Sequence, residues 1–439
     1  MTKTSLFNGL CSAAIALAVA AGPLSVALYA TGAAAQEKVD PPKPKTQKVQ
    51  SMTKPTFDAL TNAQKQIETK AYGEALVTLQ AIEANQKINE YERASIYQTF
   101  AYLYAEQEKY KEAIDYFKKS IDVSKPAEGL GLPQAQVIST MYNLGQLYMV
   151  VEQYQQAVQQ LEAWRKVAEN VNAQGLAMLA TAYYQSENME KALELIKEAI
   201  AKAGAEPKEQ WYQLQLAILL EKDRFAEAEK LLELIIPKFP SNRTYWLQLA
   251  AVYNELNKDK ESFAIFAAAY QLGFLTEEKD VVRLARLYMF NENPYQGAMV
   301  MEKAFKSPSM PRNPENLEVL ANAYFNAREY KKALPWLKEA AEKSPNGTLE
   351  LRLCQAQLQL NAYKDAEDSC KGAIDKKGLK DEGAAWITVC ISQIEQKKWA
   401  QARQSCTNAK GFKDKAKDAD QWLNYINQRS KEAKLASAE

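Results

Sequence analysis

Two pairs of cysteines with identical spacing offer the clearest chemistry in this sequence. Cys354 and Cys370 lie 16 residues apart, and so do Cys390 and Cys406. The midpoint of each pair falls in a predicted turn, so two antiparallel helices would hold both thiols side by side, about 12 Å from that turn. This geometry predicts one disulfide within each helix pair, which an oxidising compartment would form and which would contribute about 3 kcal/mol. The alternative is four small core residues standing where other segments carry Ala or Leu.

No other group of residues points to catalysis. The 439 residues include no histidine, which excludes Ser-His-Asp and Cys-His catalysis and removes the commonest zinc ligand. No phosphate loop, nucleophile elbow or paired-carboxylate motif occurs, and the cysteines lack the clustered C-x-x-C spacing of a zinc site. Acidic pairs such as Glu277-Glu278 fall at predicted helix starts, where they complement the helix dipole. We therefore predict that the protein is not an enzyme and uses no cofactor or metal.

The charge balance also argues against a nucleic-acid partner. Lys and Arg number 55 and Asp and Glu number 54, whereas nucleic-acid binders usually show a strong basic excess. The 23 tyrosines fall at predicted core positions of helices and do not suggest a base-stacking surface. Only 16 Gly and 16 Pro occur, too few for a chain of many strands and tight turns, so the composition favours helices.

The elements that would position these residues repeat along the chain. An aromatic residue followed three positions later by alanine marks the predicted start of a second helix seven times, and three looser versions complete the series. The ten pairs are Tyr72/Ala75, Tyr110/Ala113, Tyr154/Ala157, Met189/Ala192, Phe225/Ala228, Asp259/Ser262, Pro294/Gly297, Tyr330/Ala333, Tyr363/Ala366 and Trp399/Ala402. Nearly all intervals are 33–38 residues, and the one of 44 carries a predicted surface loop at 124–134. A period this close to 34 predicts a helical-hairpin solenoid.

The first helices of this repeat resemble those of the tetratricopeptide-repeat (TPR) family. Trp246, Leu249-Ala250 and Tyr253 fit the family pattern of a large residue, a Leu-small pair and a tyrosine, and so do Leu317, Leu320-Ala321 and Tyr324. The resemblance implies an all-α fold, a right-handed TPR superhelix of about ten hairpins over 56–412. Residues 413–439 would add a capping helix and tail. It also implies a non-catalytic scaffold for protein–protein interaction.

A narrower resemblance rests on the first two predicted hairpins. Residues 45–76 and 89–121, with a basic lead and an Asn-x-Tyr-Glu-Arg-Ala helix start, resemble a group of exported TPR proteins. Genes for that group stand beside those for TonB, ExbB and ExbD in proteobacterial energy-transduction clusters. The resemblance implies an accessory of a TonB–ExbB–ExbD-type outer-membrane transport system. The alternative is an adaptor for outer-membrane, secretion or cell-wall assembly.

The N-terminus reads as an export signal. Lys3 precedes an uncharged apolar run over 10–30, and small residues follow at 33–35, so residues 1–35 are predicted to be a signal peptide cleaved before Gln36. The alternative is an inner-membrane anchor, because the apolar run is long enough to span a bilayer. Residues 36–55 are polar and rich in Pro and Lys, which predicts an extended linker; the alternative is a disordered N-terminus of the mature chain. The expected location is the periplasm, with no membrane insertion once the signal is removed.

The resemblance places the partner-binding surface on the first helices, which line the inner face of a TPR array. Aromatic and amide groups mixed with arginines suit an extended peptide or a partner helix, so protein or peptide partners in the cell envelope are expected. The family's carboxylate clamp, a Lys/Asn/Arg set over three adjacent repeats, cannot be assembled, and capture of a chain-terminal carboxylate is not implied. The candidates are Tyr102, Tyr142, Gln146, Arg283, Arg286, Met289, Asn322, Phe325, Arg352 and Gln355.

Overall fold

A computed structural model describes residues 50–308 and 310–436, and the regular secondary structure of this part of the chain consists of helices. The helices are α1 Lys54–Glu68, α2 Tyr72–Glu83, α3 Glu90–Glu106, α4 Tyr110–Asp122, α5 Gln134–Val150, α6 Tyr154–Val167, α7 Ala173–Gln185, α8 Met189–Lys202, α9 Glu209–Glu221, α10 Phe225–Ile235, α11 Arg243–Glu255, α12 Asp259–Gln271, α13 Glu278–Phe290, α14 Pro294–Ala304, α15 Pro314–Asn326, α16 Tyr330–Lys343, α17 Thr348–Gln359, α18 Tyr363–Lys376, α19 Glu382–Glu395, α20 Trp399–Lys410 and α21 Ala416–Ala436. Odd-numbered helices α1 to α19 are the first helices of hairpins 1 to 10, even-numbered ones are the second, and α21 follows hairpin 10. The predicted all-α solenoid of ten hairpins and a C-terminal helix is confirmed.

Each marker of the sequence repeat begins a second helix. All ten residues predicted to open a second helix, from Tyr72 to Trp399, are the first residue of one. The small residue three positions later is buried in every hairpin, because it faces the first helix where the two backbones approach. Gly145 on α5 shows how close this approach is, since a methyl group there would overlap the Leu161 side chain of α6.

The turn inside each hairpin is the same backbone motif ten times. One residue with a left-handed conformation follows each first helix, and its φ lies between 53° and 66°. The next residue donates its N–H to the carbonyl five positions earlier at 2.8–3.0 Å, which is the Schellman arrangement that closes a helix. None of the ten is glycine, although glycine adopts this conformation at least cost. These turn residues are Lys70, Glu108, Glu152, Glu187, Asp223, Asn257, Glu292, Arg328, Asn361 and Lys397.

The chain divides into two compact units at Lys238 and Phe239. The first unit contains hairpins 1–5, and its cores include the packed rings of Phe100 and Tyr116, with centroids 4.6 Å apart. The second contains hairpins 6–10 and α21, and from hairpin 7 onward each first helix contacts the next one. The first helices α13, α15, α17 and α19 therefore lie side by side.

The residues directly before α1, which fall within the predicted linker over 36–55, are hydrogen-bonded to α3. Thr53 donates its backbone N–H and its hydroxyl to the buried Glu92 carboxylate of α3 at 2.9 and 2.6 Å. The Gln50 side-chain oxygen accepts from the backbone N–H of Tyr91 at 3.0 Å. Helix α1 then begins at Lys54, where Pro55 suits the first turn. The signal predicted over 1–35 and the linker up to residue 49 lie outside the described residues.

Within the described part of the chain, no helix is both long enough and apolar enough to cross a membrane.

Candidate partner-binding site

The four cysteines lie in the two pairs that their spacing predicts. Cys354 on α17 is paired with Cys370 on α18, and Cys390 on α19 with Cys406 on α20, each with a Cα–Cα distance of 5.3 Å. All four side chains are fully buried. Each pair therefore joins the two helices of one hairpin from inside its own core, and the pairs lie at disulfide distance without any shift of the backbone.

No cluster of three potential metal-ligating His, Cys, Asp or Glu residues occurs among the described residues.

A buried carboxylate joins the two cysteine-containing hairpins. Glu367 on α18 is 3% exposed, and it accepts from Gln393 at 2.8 Å and Gln396 at 3.0 Å, both on or directly after α19. It also pairs with Lys371 at 2.7 Å and Lys398 at 2.9 Å. Burial alone would raise the pKa of Glu367, but these four donors outweigh it and lower the pKa to about 2. The carboxylate stays ionised and cross-links hairpins 9 and 10.

In the first unit, the predicted partner-binding tyrosines contribute to packing between and within hairpins. The Tyr102 hydroxyl of α3 accepts from Asn143 of α5 at 3.0 Å, and its ring packs edge-on against Phe117. Tyr142 packs against Trp164 with a centroid distance of 5.1 Å, and burial raises its pKa to about 12. Burial also raises the pKa of Tyr102. The third candidate here, Gln146, is half-buried on α5.

In the second unit, seven candidates occupy three neighbouring first helices. We call the surface that α13, α15 and α17 form side by side the α13–α15–α17 face. It carries Arg283, Arg286 and Met289 on α13, Asn322 and Phe325 on α15, and Arg352 and Gln355 on α17. Arg286 and the unpredicted Phe290 are exposed, the latter by 79%, and the others are half-buried. The structure therefore brings one set of the predicted residues onto a common surface within one unit.

Two arginines of this face occupy the same position of the repeat. Arg283 and Arg352 each stand nine residues before the left-handed turn residue of their hairpin. The Arg283 guanidinium lies 4.9 Å from the centre of the Phe266 ring, and that of Arg352 lies 5.3 Å from the centre of the Phe325 ring. Burial lowers the pKa of both arginines. Each is a stacked cation that is partly removed from water.

Their neighbours on the face are paired differently. Arg286 forms an exposed ion pair with Glu315 of α15 at 2.7 Å. The Asn322 side chain donates weakly to Glu318 at 3.4 Å, and its own oxygen is buried without a hydrogen-bond partner in the described structure. The face thus combines unsatisfied polar groups with the aromatic ring of Phe325 and the apolar side chain of Met289.

Two family models match separate parts of the chain. The model described as "Anaphase-promoting complex, cyclosome, subunit 3" matches residues 291–373, and that described as "RNPP family C-terminal domain" matches 61–225. The repeat pattern itself lies where packing requires it, since Leu249, Ala250 and Tyr253 are buried in hairpin 6. The chain is an array of helical hairpins with a TPR-like repeat pattern. Repeats of this kind commonly mediate protein–protein interaction and are typically non-catalytic.

The comparisons with individual proteins cover parts of this TPR-like chain. The human "Protein O-mannosyl-transferase TMTC1" is 26% identical in an alignment of 204 positions that covers 43% of this chain, and the chain spans only 22% of that relative's length. Similar solved structures include a crystal structure of YrrB, titled "a TPR protein with an unusual peptide-binding site", at 17% identity and a TM-score of 0.36, covering 46% of this chain and 93% of that one. MamA from Desulfovibrio magneticus RS-1 is 19% identical with a TM-score of 0.36, covering 44% and 99%. The APC/C hetero-tetramer Cut9-Hcn1 is 12% identical with a TM-score of 0.31, covering 84% and 83%.

Proposed function

We propose that this protein is an exported, non-catalytic scaffold that holds protein partners in the periplasm. The observation that carries the proposal is the pair of cysteine bridges buried inside hairpins 9 and 10. Such bridges persist in an oxidising compartment and are rare in the cytosol. The predicted signal over 1–35 supports the same location.

We further propose that the scaffold serves a TonB–ExbB–ExbD-type outer-membrane transport system. The support is the resemblance of residues 45–76 and 89–121 to exported TPR proteins encoded beside those genes. In the structure, Gln50 and Thr53 of this segment are hydrogen-bonded to the start of α3. A partner-recognition surface on the first helices fits a scaffold of this kind.

The proposal is tested by cross-linking in intact source cells, followed by affinity capture of the tagged full chain from detergent-solubilised envelopes. The expected result is reproducible recovery of TonB, ExbB, ExbD or an outer-membrane receptor that depends on them. A chain lacking residues 1–35 should remain in the cytoplasm and recover none of them. Recovery of secretion or cell-wall assembly proteins instead would support the alternative adaptor function, and retention of the chain in the cytoplasm of wild-type cells would overturn both.

A further inference from the structure

The arginines of the second unit differ in whether they are paired. Arg243 pairs with Glu277 and Asp280, Arg286 pairs with Glu315, and Arg312 pairs with Glu339. In contrast, neither Arg283 nor Arg352 has a hydrogen-bond acceptor or an ion-pair partner among residues 50–308 and 310–436. A guanidinium carries five N–H donors, so each of these two retains its full donor capacity.

The carboxylates nearest to Arg283 and Arg352 do not accept hydrogen bonds from them. Asp280 acts on Arg283 only through its charge, because it already pairs with Arg243 at 3.0 Å. Glu318 likewise acts on Arg352 at a distance greater than an ion pair and accepts instead from Asn322. A cation that loses water without gaining an acceptor is destabilising for the fold. A ligand that supplies carboxylate oxygens would remove this cost on binding.

Stacking fixes where the donors of both side chains lie. The rings of Phe266 and Phe325 hold the planar guanidinium groups over one face, which reduces the entropy lost when a carboxylate binds. Since arginine binds a carboxylate through two parallel hydrogen bonds, each stacked group is a preformed half of such a pair. Both belong to the α13–α15–α17 face, one at each edge.

We propose that the α13–α15–α17 face binds an extended, acidic segment of a partner protein, with one carboxylate on Arg283 and another on Arg352. Neighbouring packed helices lie about 8–10 Å apart, so two steps from α13 to α17 separate the arginines by about 16–20 Å. An extended chain advances about 3.3 Å per residue. The two acidic residues of the partner are therefore about five or six positions apart, and Phe325 contacts the residues between them.

The charge of this chain's own N-terminal segment makes it a poor occupant. Residues 36–55 contain five lysines against two acidic residues, so the arginines would repel them. The proposal rests on the scaffold function above and specifies the chemistry of its partner.

The test uses the full mature chain and a fluorescein-labelled twelve-residue peptide of Gly, Ser and Pro that carries two glutamates six positions apart. Fluorescence anisotropy should show at least tenfold weaker binding when both glutamates are replaced by glutamine, because hydrogen bonds to charged groups are lost. Placing the glutamates next to each other should weaken binding to a similar extent. Arg283→Gln and Arg352→Gln should each weaken binding about tenfold, and raised salt should weaken binding of the wild-type chain.

Arg312→Gln is the matched control. Arg312 is also stacked on aromatic rings, at 4.9 Å from Trp336 and 5.4 Å from Phe305, but Glu339 already occupies its donors. This variant removes the same charge and should change peptide affinity less than about twofold. Circular dichroism checks that all three variants remain folded.

Equal affinity for the glutamate and glutamine peptides, equal loss in Arg312→Gln, or no binding at millimolar peptide would overturn the proposal. A second readout separates it from the scaffold function itself. If envelope partners are captured equally well by wild-type chain and by the Arg283→Gln/Arg352→Gln double variant, the acidic-segment site is wrong while the scaffold stands. Self-association that both substitutions abolish would instead identify a second copy of the chain as the occupant and also overturn it.

Discussion

Glu367 provides the most direct test of what holds the C-terminal hairpins together. Its carboxylate is buried and receives donors from Gln393, Gln396, Lys371 and Lys398. Gln393 lies in α19 and Lys398 directly precedes α20, so the contacts of Glu367 extend from hairpin 9 to both helices of hairpin 10. Replacing the carboxylate by a neutral group leaves Lys371 and Lys398 without an ion-pair partner. The neutral group also accepts fewer hydrogen bonds from the Gln393 and Gln396 amides.

The pKa of Glu367 gives the size of the effect. The hydrogen bonds overcome burial and lower the pKa from the ordinary 4.5 to about 2, and each pKa unit corresponds to about 1.4 kcal/mol. The charged form is therefore stabilised by folding by about 3 kcal/mol. Because the pKa is lower in the folded state, this stability is fully present above pH 4.5 and is lost as the pH falls from 4.5 to about 2.

We expect Glu367→Gln to destabilise hairpins 9 and 10 by about 3 kcal/mol at pH 7 and to flatten their acid sensitivity between pH 4.5 and 2. Hydrogen exchange measured by mass spectrometry suits this test, because repeat arrays need not unfold in one step. Peptides from α18 to α20 should exchange about a hundredfold faster in the variant at neutral pH. Wild-type and variant rates, corrected for intrinsic exchange, should converge near pH 2.

Asp420→Asn is the control within the same region. Asp420 pairs with Lys410 at 2.7 Å, but both side chains are about half exposed, so the substitution should change stability by less than about 1 kcal/mol. If Glu367→Gln has an effect as small as this control, or if its acid profile matches that of the wild-type chain, the charged network does not stabilise the two hairpins.

Three further predictions concern the bridges, a close backbone contact and export. Peptide mapping without reduction should recover one bridge within each of hairpins 9 and 10 and none between them, and reduction should make these hairpins protease-sensitive before the rest of the array. Gly347→Ala should lower the free energy of chemical unfolding by about 1–3 kcal/mol, because the added methyl group would overlap the Ala373 carbonyl. Gly372→Ala, on the open side of α18, is the control and should be neutral or stabilising. Intact-mass measurement of protein from the source cells should show a mature chain that begins at Gln36.

The sequence was sufficient to locate every hairpin because each second helix begins with a packing contact. The residue three positions into that helix must be small wherever two helices approach closely, and this requirement repeats at a nearly constant interval. The turns carried no comparable signal. Glu108, Glu152 and Arg328 adopt left-handed conformations without the glycine that usually marks them, because the Schellman hydrogen bonds and the packing of both helices hold them there.

The disulfide pairs were predictable for the same geometric reason. An antiparallel hairpin fixes which residues lie opposite each other once its turn is known, so equal distance from the turn was enough to pair Cys354 with Cys370. The Glu367 network was missed because three of its four donors, Gln393, Gln396 and Lys398, come from another hairpin. Whether these donors reach Glu367 depends on how α18 packs against α19, and the spacing of residues along the sequence does not predict that packing.

The first helices show the limit of the sequence most clearly. Tyr102 and Arg352 were equally good candidates by residue type and position, yet the structure gives Tyr102 a hydrogen bond to Asn143 and leaves Arg352 without an acceptor. The difference arises from what the neighbouring hairpin presents at each site. In the first unit the Asn143 amide donates a hydrogen bond to the Tyr102 hydroxyl. In the second unit the Phe325 ring packs against the Arg352 guanidinium but accepts no hydrogen bond from its N–H groups. A partner that binds at Tyr102 must replace the existing hydrogen bond to Asn143, which weakens its binding. A partner that binds at Arg352 replaces no hydrogen bond. The proposal for the α13–α15–α17 face therefore rests on its unpaired cations rather than on the aromatic residues of the first helices.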